Sequence, residues 1–184
     1  MPNPLLDDLQ QALAGAGQLV GALEPDQWDA PTPCPGWAVR DVVQHLAGGN
    51  TLFANALAGE QPGATPADVD ADAAGYARSA ERLVDAASAP GALDRLVSVP
   101  FGVVPGPVAV QMRVVEALVH GWDLARASGR PTAFDDELVG RTDAFTRQML
   151  TRVPPERSPF GPPVPIADDA PPLDRLAALL GRSA

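Results

Sequence analysis

Lysine is absent from this chain of 184 residues, so all 13 basic residues are arginine. Without lysine, the chain can use neither Schiff-base catalysis nor the lysine-containing loop that binds nucleotide phosphates. Cysteine occurs once, at Cys34, which excludes an internal disulfide and a cysteine-based zinc ribbon. Histidine occurs only at His45 and His120, so a site that depends on imidazole must use these two residues.

Positive charge and long apolar stretches are scarce as well. The net charge is −10 and the arginines do not cluster, so the chain lacks the basic surface of proteins that bind nucleic acids or anionic membranes. No apolar run reaches the roughly 18–20 residues that span a bilayer, and the N-terminus lacks the basic start of a signal peptide. We therefore expect a cytoplasmic protein with small-molecule partners and no nucleic-acid or membrane partner; a homodimer remains open.

Hydrophobic residues make up 46% of the chain and recur at helical spacing in several segments. Residues 96–107 are expected to form a short extended segment, because their prolines argue against a central strand. The chain shows no alternation of apolar and polar residues that is sufficient for a sheet. Residues 59–66 are a loop rich in helix breakers, and residues 154–172 are irregular and hold eight prolines. The spacing predicts helices at about 5–23, 39–58, 69–87, 108–127 and 135–152, and a short closing helix at 173–180.

Four long helices with short connections predict an all-α protein built as a four-helix bundle. We expect the bundle to occupy residues 1–152. Residues 153–184 are then a proline-rich C-terminal extension whose short helix packs on the bundle.

Both histidines lie within predicted helices and have carboxylates nearby. Glu116 precedes His120 by four residues, so the two side chains share one helix face and can bind one metal ion. His45 lies beside an apolar stripe and is expected to face inward. Two histidines and one glutamate match catalytic zinc sites, which keep a position open for water or substrate, but non-haem iron uses a similar set.

The alternative is that both histidines are ordinary core or boundary residues and Glu116 is a solvated carboxylate. Asp41 and Asp123 lie within one helical turn of a histidine, and either carboxylate can hold a metal-binding imidazole in place. Asp41 can instead stabilise a helix N-terminus, and Asp123 can face solvent or bind an arginine. Arg113 lies one turn before Glu116, and we expect it either to bind an anionic substrate or to be an ordinary surface residue.

Cys34 precedes a helix N-terminus, where a thiolate can be stabilised. His45, however, lies about 12–16 Å away at 1.5 Å per helical residue, so a packed structural thiol is the favoured interpretation. The three tryptophans are interpreted first as core and loop anchors, and Trp122 also as a candidate for the pocket wall. They are Trp28, Trp37 and Trp122.

Several stretches resemble a known family. Residues 32–41, Thr-Pro-Cys-Pro-Gly-Trp-Ala-Val-Arg-Asp, together with Trp28 and His45-Leu46-Ala47, resemble the N-terminal motif of mycothiol-dependent maleylpyruvate isomerase-like proteins, within the DinB/YfiT-like superfamily. Residues 115–125, Val-Glu-Ala-Leu-Val-His-Gly-Trp-Asp-Leu-Ala, are similar to the second metal motif of that family. Pro100-Phe101-Gly102 and residues 176–182 resemble an actinobacterial subgroup of metal-binding proteins.

The resemblance implies an up-down four-helix bundle that holds a divalent ion on His45, Glu116 and His120. Zinc is the ion usual in the family, with nickel and iron as alternatives, and mycothiol is implied as a cosubstrate. The isomerase has an additional C-terminal domain that this chain lacks, so its substrate is not carried over.

Two functional hypotheses follow. The first is a metal-dependent thiol transferase or isomerase that joins a small thiol to a small electrophile. The second is a non-catalytic metal-binding or interaction module in which the ion staples the helices together. A metal-free helical protein is the plainest alternative.

Overall fold

The computed structural model describes residues 3–60, 70–100, 102–132, 134–153 and 160–183. Within these ranges the chain forms six α-helices, a 3₁₀ turn at Pro25–Gln27 and one β-hairpin. The helices are α1 Pro4–Gly21, α2 Val39–Ala58, α3 Ala73–Ser88, α4 Gly106–Ser128, α5 Asp136–Leu150 and α6 Pro172–Leu179, and the strands are β1 Leu96–Val99 and β2 Gly102–Pro105.

Short polar side chains begin several of these helices. The carboxylate of Asp72 accepts a hydrogen bond of 2.7 Å from the backbone N–H of Gly75 at the start of α3. Asp135 accepts one of 2.8 Å from Glu137 at the start of α5. Each bond satisfies a backbone donor that has no partner within its helix. At the C-terminal end of α4, Gly129 adopts the left-handed conformation that commonly ends a helix.

The first four helices form a bundle, which confirms the all-α prediction. Helix α1 packs against α3 and α4, and α2 packs against the same two helices. Helices α5 and α6 pack against α4 and against each other. Helix α4 is therefore covered on several sides, and most of its residues from Arg113 to Ala125 are buried.

The hairpin corrects the expectation that residues 96–107 form no sheet. Strands β1 and β2 pair in antiparallel register, with Val97 opposite Val104 and Ser98 opposite Val103. Val97 and Val99 are buried, so one face of β1 packs on the core. Pro105 is the last residue of its strand, where its missing N–H interrupts no central ladder. Two strands of four residues are too short for sequence periodicity to reveal them.

Other predictions differ from the structure only at helix ends, or fall outside the described ranges. Helix α2 has the predicted bounds, whereas α3 begins at Ala73. Most of the predicted loop at 59–66, the predicted start of the third helix at residue 69, Phe101 and residues 154–159 lie outside the described residues. None of the described helices combines the length and the apolarity that crossing a membrane requires.

Two helical glycines make room for one aromatic ring. A Cβ atom built at Gly15 of α1 would lie 2.5 Å from the ring of Phe134, and one built at Gly121 of α4 would also lie 2.5 Å from it. Because the ring is flanked on both sides, it cannot move away from one helix without approaching the other. The glycines therefore set how closely Phe134 packs between α1 and α4.

We predict that Gly15→Ala lowers the free energy of unfolding by about 1–3 kcal/mol, the usual cost of forcing extra atoms into a packed core. Chemical denaturation measures the change. Gly140→Ala on α5 is the matched control, because no atom lies within 4 Å of the added Cβ. This control should gain about 0.5–1 kcal/mol from improved helix propensity. Equal effects at both positions would contradict the assigned role of Gly15.

Candidate metal centre

Three side chains from two neighbouring helices meet in the structure. His45 projects from α2, and Glu116 and His120 project from consecutive turns of α4. The Nε2 atom of His45 lies 2.7 Å from Oε2 of Glu116, and Nε2 of His120 lies 3.4 Å from the same oxygen. The three candidate ligand atoms all lie within 4.8 Å of one another. The structure thus brings together the trio expected from the sequence.

The chemistry and spacing of this trio suit a divalent cation. Imidazole nitrogen and carboxylate oxygen bind zinc at about 2.0–2.2 Å, and tetrahedral geometry then separates neighbouring ligand atoms by about 3.4 Å. The distance of 3.4 Å between His120 and Glu116 matches this separation. The shorter distance of 2.7 Å between His45 and Glu116 is that of a hydrogen bond, so these two side chains would have to move apart for both to bind one ion.

The trio borders a cavity of about 990 Å³. Exposure of the side chains decreases from 38% for His45 to 17% for Glu116 and 4% for His120. The site is therefore anchored in the core by His120 and accessible on the side of His45. This arrangement leaves room for a small molecule next to the three ligand atoms, as catalytic metal sites require.

Through its Nδ1 atom, His120 contacts a buried ion pair formed by Asp123 and Arg182. Its Nδ1 atom lies 2.9 Å from Oδ2 of Asp123, and donation of this N–H would leave Nε2 free to bind a metal. Asp123 is fully buried, and Arg182 donates from Nη2 to its Oδ2 at 3.1 Å. Of the two aspartates considered from the sequence, Asp123 is thus the one that holds an imidazole.

Burial and hydrogen bonding shift the pKa values of Glu116 and His120. Burial by itself would raise the pKa of Glu116, but hydrogen bonds to His120 and His45 outweigh it and hold that pKa well below its ordinary value. Burial by itself would lower the pKa of His120, but Asp123 and Glu116 together raise it. Glu116 is consequently an anion at neutral pH, and His120 holds its proton to a higher pH than an ordinary histidine does, so a cation competes with that proton for the imidazole.

Trp37 forms an aromatic wall for the site. Its ring stacks on His120 at a centroid distance of 5.6 Å and an angle of 10°, and its centroid lies 4.9 Å from that of His45. The loop before α2 holds Trp37 there, because its carbonyl oxygen accepts hydrogen bonds from both the N–H and the hydroxyl of Thr32. Trp37 also lines the cavity.

Cys34 lies at the same cavity, close to His120 instead of His45. A ligand atom of His120 and one of Asp123 lie within 4.8 Å of its Sγ atom, and Arg182 Nη2 lies 3.5 Å from it. The distance argument used for the sequence considered only His45 and therefore missed this proximity. Burial raises the pKa of the Cys34 thiol despite the opposing charge of Arg182, so the structure does not favour a thiolate.

Cys34, His120 and Asp123 form a second group whose spacing could hold an ion. The guanidinium of Arg182, however, already contacts both Cys34 and Asp123. A cation added to this group would meet a positive charge. The group of His45, Glu116 and His120 is therefore the better candidate.

The other residues considered from the sequence have structural contacts. Asp41 accepts a hydrogen bond of 2.8 Å from the backbone N–H of Ala38 at the start of α2, which is the simpler of its two expected roles. Trp122 is 2% exposed and donates to Asp174, away from the cavity. Trp28 is half-buried and packs against the core.

Trp37 and Arg182 are the site residues whose positions sequence reasoning missed. The rigid loop Thr-Pro-Cys-Pro-Gly-Trp was a signal for Trp37, but it did not indicate which way the ring faces. Arg182 lies 59 residues from Asp123, and no periodicity links the two positions. Only the family resemblance of residues 176–182 marked this segment.

Comparisons with known proteins agree in family and in fold. The family model of the mycothiol maleylpyruvate isomerase N-terminal domain matches residues 9–125, a range that contains all three candidate ligands. The uncharacterized protein Rv0738 of Mycobacterium tuberculosis is 33% identical over 175 residues, which cover 95% of each chain. Rv0036c of the same organism is 29% identical and is matched over 86% of this chain and 72% of its own length.

Solved structures share the fold. A crystal structure of a mutant of the mycothiol-dependent maleylpyruvate isomerase superimposes with a TM-score of 0.61 at 17% sequence identity, covering 78% of this chain and 68% of the other. A second crystal structure of that isomerase gives a TM-score of 0.54 at 18% identity over the same shares.

We predict that, at pH values below the raised pKa of His120, the association constant for zinc decreases about tenfold for each unit by which the pH is lowered. The sign follows from the proton on His120, which is retained at low pH and competes with the ion, and which is lost as the pH rises. Competition with a chromophoric chelator between pH 5.5 and 8 measures the constant.

Asp123→Asn and Asp41→Asn form a matched pair for this test. Asp123 contacts His120, so its amide variant should bind zinc about 10- to 100-fold more weakly at neutral pH. Asp41 contacts only the start of α2, so its variant should retain the affinity and the pH profile of the unmodified protein. A zinc affinity that is independent of pH would contradict the assignment of His120.

Proposed function

Because the chain belongs to the mycothiol maleylpyruvate isomerase N-terminal domain family, we propose that it is a metal-dependent enzyme that joins a small thiol to a small electrophile. His45, Glu116 and His120 would hold the ion, with zinc as the first candidate and nickel or iron as alternatives. A thiol of the mycothiol type is the proposed cosubstrate. The observation that carries the proposal is the convergence of two imidazoles and one carboxylate at the wall of a cavity.

A divalent ion in this position would supply Lewis acidity, which lowers the pKa of a thiol bound beside it. The protein contributes positioning and charge. Glu116 supplies the negative charge that attracts the cation, and Asp123 fixes the orientation of His120. The histidines each contribute a neutral nitrogen, so the site retains a net positive charge that favours an anionic sulfur.

The cavity suits the second reactant. Apolar side chains from α2 and α4, including Leu52, Phe53 and Met112, line it together with Trp37. Such walls exclude water from an electrophile and hold it near the thiol. In a transfer reaction the thiol proton goes to solvent, a C–S bond forms and the leaving group departs with its electron pair. In an isomerisation the C–S bond forms and later breaks, which regenerates the thiol.

The structure supports catalysis more directly than the alternative of an ion that only staples helices. A structural zinc site normally has four protein ligands and little access. Here the trio has three members, and His45 is 38% exposed at the cavity. A stapling ion would need neither the exposed ligand nor a cavity of about 990 Å³.

We predict that the purified protein binds one equivalent of zinc per chain and uses it to conjugate mycothiol to chlorodinitrobenzene or a bromobimane. His45→Ala, Glu116→Gln and His120→Ala should each lower turnover by at least about a hundredfold, because each removes a ligand of the ion. Elemental analysis measures the metal, and product absorbance or fluorescence measures the turnover.

Two controls make this test decisive. Circular dichroism establishes that each variant is folded, and Asp41→Asn, one turn before His45, should retain full metal content and turnover. Stoichiometric zinc in His120→Ala would overturn the assignment of the site. Zinc binding without turnover over a broad panel of thiols and electrophiles would favour the non-catalytic module.

A further inference from the structure

Arg113 is a buried cation in the wall of the cavity. It projects from α4 one turn before Glu116, its residue is only 2% exposed, and it is among the residues that line the cavity. Arginine is almost never fully buried in proteins unless a counter-charge accompanies it. The partners of this guanidinium therefore determine what the residue does.

The hydrogen bonds of Arg113 account for only part of its donors. Nη2 donates to the backbone oxygen of Leu46 at 3.2 Å and to Oδ1 of Asn50 at 2.9 Å. Nε is buried and has no acceptor, and no bond from Nη1 occurs in the described part of the chain. Within the same residues no carboxylate forms an ion pair with the guanidinium, although the charge of Glu116 acts on it from a longer distance.

The neighbours of the guanidinium hold it in one position. A Cβ atom at Gly49 would lie 2.5 Å from Nη1 and 2.9 Å from Cζ, so only glycine allows Arg113 to lie against α2. On another side, Cζ lies 5.3 Å from the ring centroid of Phe53. Gly49 and Phe53 both line the cavity. Neither of them accepts a conventional hydrogen bond from Nε or Nη1.

An unpaired buried cation destabilises a folded protein unless something offsets its lost hydration. Burial lowers the pKa of Arg113, and Glu116 only partly opposes this. A single anion at the guanidinium would restore the missing charge and accept the free donors. A planar carboxylate suits this best, since its two oxygens match two adjacent N–H groups of arginine.

We propose that Arg113 is a specificity-determining residue that binds a carboxylate of the electrophilic substrate, which is therefore a small organic acid with an apolar body. Arg113 and Glu116 are three residues apart on one helix, which places their Cβ atoms about 5–6 Å apart. A carboxylate held at Arg113 thus has its reactive carbon only a few bonds away, beside the candidate metal ligands. The identity of this acid as the electrophile rests on the proposed function, whereas the anion site does not.

Benzoate and benzamide, which differ in charge but hardly in shape, test the anion site. Calorimetry on the full chain, before and after removal of zinc with a chelator, should show that benzoate binds more tightly than benzamide in both preparations. Arg113→Met should weaken benzoate binding by about tenfold to a hundredfold, the loss expected for hydrogen bonds to a charged group, and should leave benzamide binding unchanged.

Two further variants keep this test interpretable. Asn50→Asp places a carboxylate where Oδ1 already lies 2.9 Å from the guanidinium, so it should abolish the preference for benzoate while Arg113 stays in place. This variant serves if Arg113→Met does not fold, which circular dichroism establishes. Arg152→Met removes an exposed arginine at the rim of the same cavity and should leave both affinities unchanged.

Equal affinities for benzoate and benzamide in the unmodified protein would overturn the proposal. Benzoate binding that survives in both Arg113→Met and Asn50→Asp would do the same, as would binding that disappears with the zinc or in Arg152→Met.

A second experiment connects the anion site to the substrate. With mycothiol as cosubstrate, 4-chloro-3-nitrobenzoate should react with a lower KM than its amide. The sulfur bonds to the ring carbon that carries chlorine, chloride leaves with the electron pair of the C–Cl bond, and the thiol proton goes to solvent. Arg113→Met should raise KM for the acid at least tenfold with a smaller change in kcat, and should leave KM for the amide unchanged.

The two experiments separate the two proposals. Loss of benzoate selectivity in Arg113→Met without any conjugation activity would support the anion site and overturn the proposed enzyme. Conjugation with no preference for the acid would support the enzyme and overturn the role of Arg113.

Discussion

A stripe of ionisable side chains along the buried face of α4 is the feature on which the rest of the structure depends. Arg113, Glu116, His120 and Asp123 follow one another at intervals of three, four and three residues, so helical geometry places them in one row. Alternating charges in the interior are tolerable only where other segments supply partners. Helix α2 supplies His45 and Asn50, and the C-terminal segment supplies Arg182.

The sequence was sufficient for whatever follows from spacing within one helix. The bounds of α2, and the shared face of Glu116 and His120, come from the 3.6-residue period alone. Whether α2 meets α4 with His45 at the contact depends on tertiary interactions, and here the family resemblance contributed more than the periodicity. The hairpin was not predicted, because its eight paired residues are too few for an alternation of apolar and polar residues to distinguish it from a loop.

Longer-range relationships could not be predicted. Hydrogen bonds within the preceding loop fix the backbone of Trp37, whose ring stacks on His120, and such bonds have no periodic signature. Cys34 illustrates the same limit, since its distance along the chain to His45 says nothing of its distance in space to His120. The division of the chain between residues 152 and 153 stays a prediction, and the sequence did not indicate that Arg182, beyond that boundary, binds the same aspartate as His120.

The contact between Arg182 and Asp123 also has a consequence for biosynthesis. Arg182 is made 59 residues after Asp123, so the bundle helices α1 to α4 leave the ribosome before it does. Domains generally begin to fold from the N-terminus during synthesis, but the fully buried Asp123 has no contact with Arg182 until that residue has emerged. The bundle therefore begins to fold while one contact that supports the candidate site is missing, and a product truncated before Arg182 would carry all three candidate ligands without that contact.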